Sequence, residues 1–113
     1  MESPAYSTQA DKLLSPEEQD EVIRTIAKDP ECGEVMPGTH GVRKLRVALE
    51  GRGKSGGARV IYFYYDDDVP VLMLGIFAKN EQANLSKAQR NALGNAILEL
   101  KKNIRQSRER RRK

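Results

Sequence analysis

Between Arg43 and Arg59 the chain places six basic side chains, Arg43, Lys44, Arg46, Arg52, Lys54 and Arg59, against a single acid, Glu50. Gly51, Gly53, Gly56 and Gly57 separate them. A loop this basic and this free of side-chain bulk can lay its backbone along a phosphate chain. The run Val60-Ile61-Tyr62-Phe63-Tyr64-Tyr65 follows directly and supplies an apolar strand to anchor it. Lys79 ends a later apolar run. Lys44, Arg46, Arg59 and Lys79 each fall on a predicted strand or strand end, so they can converge on one sheet surface. The chemistry this points to is recognition of RNA or DNA.

Other chemistries fit less well. Gly53-Lys54-Ser55 has the look of a nucleotide-binding P-loop, but the position five residues before Gly53 is Ala48. The residues after it lead into a β-branched and aromatic strand, so the helix N-terminus that such a loop needs is missing. His40 is the only histidine and Cys32 the only cysteine, which rules out a two-histidine acid–base pair and an internal disulfide. One of each is also a poor start for a metal site, and no metal or cofactor is expected. Asp66-Asp67-Asp68 reads as a solvated turn. Tyr62, Tyr64 and Tyr65 can stack on bases, yet tyrosines in a strand more often pack, and alternation turns at least one toward the core.

The elements that must position these residues make one domain. The 113 residues suffice for a single modest core. Net charge is +4, but residues 101–113 carry eight Lys/Arg against Glu109 alone, while the rest holds 12 basic and 15 acidic side chains. Such segregation directs a polyanion to one part of the surface. Neither an N-terminal signal segment nor an apolar stretch of membrane-spanning length is evident, and a cytoplasmic location is expected.

Residues 4–9 read as a short, interrupted first strand. Ser15-Pro16-Glu17-Glu18 starts a helix as a capping box, Val22, Ile23, Ile26 and Ala27 recur at helical spacing, and Asp29-Pro30 stops it. Residues 31–41 read as a Gly/Pro connector. From Val42 the pattern alternates, with Leu45, Val47 and Leu49 on one face and Lys44, Arg46 and Ala48 on the other. Strands over Ala58–Tyr65 and Val69–Ala78 follow, joined by the acidic turn. The second is apolar on both faces, as a central strand would be. Ser86 and Gln89 form another capping box, and Leu93, Ala96, Ile97, Leu100 and Ile104 mark one apolar stripe. The expectation is a small α+β sandwich: a mainly antiparallel sheet of three to five strands, an N-terminal helical region and a C-terminal helix. The domain would span residues 1–104, with 105–113 a basic extension.

Together, Gly41-Val42-Arg43-Lys44-Leu45-Arg46, Gly53-Lys54-Ser55-Gly56-Gly57-Ala58-Arg59-Val60-Ile61-Tyr62, Ala78-Lys79-Asn80-Glu81 and a Leu-Ser-led terminal helix resemble the HigB branch of the RelE/ParE toxin superfamily. The resemblance runs from about Leu13 to Lys102 and leaves out the arginine-rich tail. It implies a toxin paired with a helix-turn-helix antitoxin, reaching operator DNA only through that complex. It further implies a ribosome-dependent endoribonuclease that cuts translated mRNA by attack of a 2′-hydroxyl on the neighbouring phosphate, without metal. Arg59 is the expected phosphate and transition-state stabiliser, Lys79 a general acid/base or phosphate contact, and Lys54 a loop group at the substrate or ribosomal RNA. Arg43, Lys44, Arg46, Arg52 and Asn80 complete the expected RNA contacts. Two departures stand out: RelE itself has an arginine where Asn80 stands, and a catalytic tyrosine near Leu85 and Ser86. Two other functions compete, a ParE-like non-enzymatic inhibitor of DNA gyrase and an inactive nucleic-acid-binding relic.

Overall fold

The structure is a computed structural model and describes residues 2–48, 57–78 and 86–111. In chain order the elements are α1 (Pro4–Leu13), α2 (Pro16–Lys28), β1 (Glu34–Val35), β2 (Val42–Val47), β3 (Ala58–Phe63), β4 (Leu72–Ala78) and α3 (Lys87–Arg111). The four strands form one antiparallel sheet in the order β1-β2-β3-β4. Helices cover both of its faces, so the α+β expectation holds.

Both expected capping boxes are present. Ser15 Oγ accepts from the Glu18 N–H at 3.1 Å and Glu18 Oε1 accepts from the Ser15 N–H at 2.8 Å. Ser86 and Gln89 repeat the arrangement at 3.1 and 2.8 Å. Each pair satisfies orphan donors of the first turn.

The first ten residues correct the sequence reading. Residues 4–9 form a helix, not a strand, because Ser3 rather than Pro4 sets the local structure. Ser3 Oγ caps the Tyr6 N–H at 3.1 Å, and Pro4 then occupies a first-turn position where its missing N–H costs nothing. A second correction concerns β4, which is last in the strand order and not central. It is apolar on both faces because a helix lies over each, and its outer edge is covered by the start of the chain. The Ser3 N–H donates to the Met73 carbonyl at 2.9 Å, Ser3 Oγ donates to the Leu74 carbonyl at 3.1 Å, and Glu2 bridges Met73 in parallel. The connector also hides a strand, β1, too short to show a period.

Alternation along β3 divides the core. Val60 and Tyr62 pack with Met73, Ile76 and the buried faces of α1 and α2, namely Tyr6, Ala10, Val22 and Ile26. Ile61 and Phe63 pack with Val42, Met36 and Ile97 of α3 on the opposite face. The turn after β3 is the expected acidic one: the Val69 N–H donates to the Asp66 carbonyl, and Asp66 Oδ1 accepts from the Asp68 N–H. Helix α3 continues past Ile104 to Arg111. Its last turns are tied down by Arg108, which donates to Asp66 at 2.6 Å and lies 5.4 Å from the Tyr65 ring centroid. That bond holds the Asp66 carboxyl below its ordinary pKa. Among the described residues no helix is long and apolar enough to cross a membrane.

Candidate nucleic-acid interface

The sheet face under α3 is apolar at one end of the strands and cationic at the other. Across the ladder Val42 stands opposite Phe63, Lys44 opposite Ile61, and Arg46 opposite Arg59. Arg59 in turn stands opposite Phe77 of β4. Residues directly opposite share a face, so the apolar rows under α3 give way to a row of Arg46, Arg59 and Phe77. Lys44 lies on the same face one step back, beside Glu34 of β1.

Arg46 is exposed, whereas Lys44 and Arg59 are half-buried. Arg59 bonds the carbonyl of its own neighbour, Ala58, at 3.4 Å. Among the described residues neither Arg46 nor Arg59 forms an ion pair. Like charges placed directly opposite on a ladder destabilise a sheet. This row therefore carries a local cost that a bound polyanion would offset. Phe77 gives the row an apolar border. Sequence reading missed it because only the β3–β4 register aligns that residue with Arg59.

Arg43 is not part of this group. It lies on the other face with Leu45 and Val47, and its guanidinium bonds the carbonyls of Gly33 at 2.8 Å and Glu31 at 3.1 Å. A 3.7 Å ion pair to the Glu31 carboxylate adds to this tether. Arg52, Lys54, Lys79 and Asn80 lie outside the described residues. Ser86, one of the two positions offered in place of the family tyrosine, is the cap of α3.

The tyrosines are structural. Tyr62 is buried, donating to the Pro30 carbonyl at 2.8 Å and accepting from the Gly33 N–H at 2.9 Å. Gly33 must be glycine for this contact, since a Cβ there would meet the Tyr62 ring and hydroxyl at 2.9 Å. Tyr64 donates to Asp67, and Tyr65 packs with Phe63 and Arg108. Lys101 of α3 is likewise engaged, donating to the His40 carbonyl at 2.7 Å.

Fold and site together define a small α+β protein that presents a cationic sheet face beside a terminal helix. Residues 11–109 match the family model described as RelE toxin of the RelE/RelB toxin–antitoxin system. The chain belongs to the RelE toxin family, whose members work as one half of a toxin–antitoxin pair.

Proposed function

We propose that this chain is a ribosome-dependent endoribonuclease of the HigB type, which arrests growth by cutting translated mRNA in the cytoplasm. The observation that carries this reading is the Arg46–Arg59 pair, two guanidinium groups held opposite one another with no carboxylate among the described residues paired to them. Cleavage by the 2′-hydroxyl needs three things: a base to take its proton, positive charge at the phosphorus as negative charge builds on the non-bridging oxygens, and a proton for the departing 5′-oxygen. The products are a cyclic 2′,3′-phosphate and a free 5′-hydroxyl.

Arg59, fixed on a central strand and half-buried, suits the second role, because a guanidinium can bond two phosphate oxygens at once. Lys44 and Arg46 would hold the flanking phosphates. Lys79 would move a proton, Lys54 would reach the substrate from the glycine-rich loop, and Arg52 and Asn80 would extend the contact. The partner would be a helix-turn-helix antitoxin that masks this face or blocks ribosome entry, and the pair would repress their own operon.

The test is a translation assay with mapping of message ends, comparing wild type with Arg59→Ala and Lys79→Ala. The expected result is cleavage of translated messages by the wild type and a loss of about 10²-fold or more for Arg59→Ala, the scale of removing one transition-state donor. Growth arrest with intact messages would refute the nuclease reading, and gyrase-dependent DNA damage would then put the ParE-like function in its place.

A further inference from the structure

We propose that the open edge of β2 accepts an extended segment of a partner polypeptide as an added strand, read by a two-sided charge pattern. The site shares Arg46 with the RNA-facing row, so an added strand and RNA would compete there, but it does not rest on the cleavage reading. Strand β1 pairs only with Arg43 and Lys44 of β2. The Met36 N–H donates to the Val42 carbonyl at 2.8 Å, which sets the outward side of β2. By alternation the N–H and C=O of Lys44 and Arg46 point the same way. At Gly33 the chain leaves the ladder to meet Tyr62, so among the described residues no strand covers β2 beyond Lys44. An uncovered edge of this kind is a template for another strand.

Beside this edge, between α2 and β2, lies a groove of about 1000 Å³. Val22, Leu45 and Val47 give it an apolar floor, and Glu17, Glu18 and Glu21 line its α2 side against the one cation of that helix wall, Arg24. Glu21 already pairs with Arg24 at 2.7 Å, and Glu18 serves the capping box. Arg46 lines the β2 side, so the three carboxylates outnumber the cations by one, and that excess, all on the α2 wall, favours a polypeptide with cationic side chains over nucleic acid.

The ladder dictates the rest of the pattern. Side chains directly opposite share a face, so an added residue facing Arg46 would lie beside its guanidinium and should be acidic. The chain's own β1 already shows this arrangement, with Glu34 opposite Lys44. Residues flanking that acid would face the groove, where Leu45 and Val47 favour apolar side chains and Glu17 favours a cation. The occupant is therefore an extended segment with an acid opposite Arg46 and valine-like or basic residues on either side of it.

A capped heptapeptide, Lys-Glu-Val-Glu-Val-Glu-Lys, tests the proposal against an isomer, Lys-Lys-Val-Val-Glu-Glu-Glu, by NMR titration of the ¹⁵N-labelled full chain. The alternating peptide should slow exchange of the Arg46 amide about tenfold or more at saturation, as a new ladder bond would. The isomer should bind about fivefold or more weakly, and Glu17→Lys with Glu21→Lys should weaken the alternating peptide to a similar extent. Unchanged exchange at Arg46 in the native chain, equal binding of the isomer, or stronger protection of that amide by a single-stranded oligonucleotide would each overturn the proposal. None of these readings involves cleavage, so their failure leaves the nuclease assay to stand or fall alone.

Discussion

The hydroxyls of Tyr62 and Tyr6 are both buried, but only one has partners. Tyr62 joins Pro30 and Gly33, whereas the Tyr6 hydroxyl has no hydrogen-bond partner among the described residues. Tyr62→Phe strands the buried Gly33 N–H and should cost about 1–3 kcal/mol. Tyr6→Phe removes a desolvated group that gains nothing, so it should leave stability within about 0.5 kcal/mol or raise it. Urea unfolding of the two variants checks the contrast. Both phenols are also pushed up to about 12, mainly by burial, from an ordinary value of 10. Between these limits the unfolded chain releases protons that the folded chain keeps, so the unfolded state binds fewer and stability falls as pH rises. Their contribution is intact below pH 10 and lost through about 12. Either phenylalanine variant should lose stability less steeply than wild type across that window, a difference readable in urea midpoints.

At the scale of elements, α3 is seated through a glycine. A Cβ at Gly94 would come within 2.6 Å of the Gly38 carbonyl oxygen and 3.1 Å of the His40 ring. Backbone cannot yield as a side chain does, so α3 would have to lift from the sheet. Helix propensity alone predicts that Gly94→Ala stabilises by about 1 kcal/mol. Overpacking should reverse the sign and produce a net loss of about 1–3 kcal/mol, with faster amide exchange around Ile97. A stabilised variant would show that the contact is soft. The sequence hides this seat, since the stripe of Leu93, Ala96, Ile97, Leu100 and Ile104 does not show which backbone Gly94 meets. What the sequence does make legible are features with local causes: the two capping boxes, the Asp29-Pro30 stop, the acidic turn, and the split of Leu45 and Val47 from Lys44 and Arg46. Features set by distant partners do not show. Whether residues 4–9 coil or extend depends on the bonds Ser3 makes, and the edge position of β4 depends on which segment covers it. The candidate site divides the same way. Alternation puts Lys44 and Arg46 on one face and Arg43 on the other, but only the β2–β3 register brings Arg59 opposite Arg46, and only the folded chain shows Arg43 tethered to the Gly33 and Glu31 carbonyls.

At the scale of the molecule, the described residues hold clusters of positive charge toward both ends of β3. Arg46 and Arg59 lie at one end of the strands, and the last turns of α3 are pinned beside Asp66 at the other. Asp66 stands seven positions after Arg59, a reach of at most about 25 Å in extended chain. An RNA strand engaged at the arginine row could therefore continue toward the helix end. Arg108 is spent on Asp66 and Tyr65, but Arg105, Arg110 and Arg111 are exposed. Each phosphate contact on a single strand contributes about 0.7 to the salt dependence of binding. Changing these three arginines to glutamine, with the Arg108 anchor kept, should lower the slope of log affinity against log salt by about 2. The positions of cleavage should stay the same, because the tail would add affinity without selecting sequence. Arg59→Ala should behave in the opposite manner, lowering the slope by no more than one contact's share, about 0.7, while cutting cleavage about 10²-fold or more. Filter binding of a short unstructured RNA across a salt series separates the two. An unchanged slope for the triple variant would mean that the helix end serves only as a charged, solvated terminus, and that the polyanion is held by the sheet face alone.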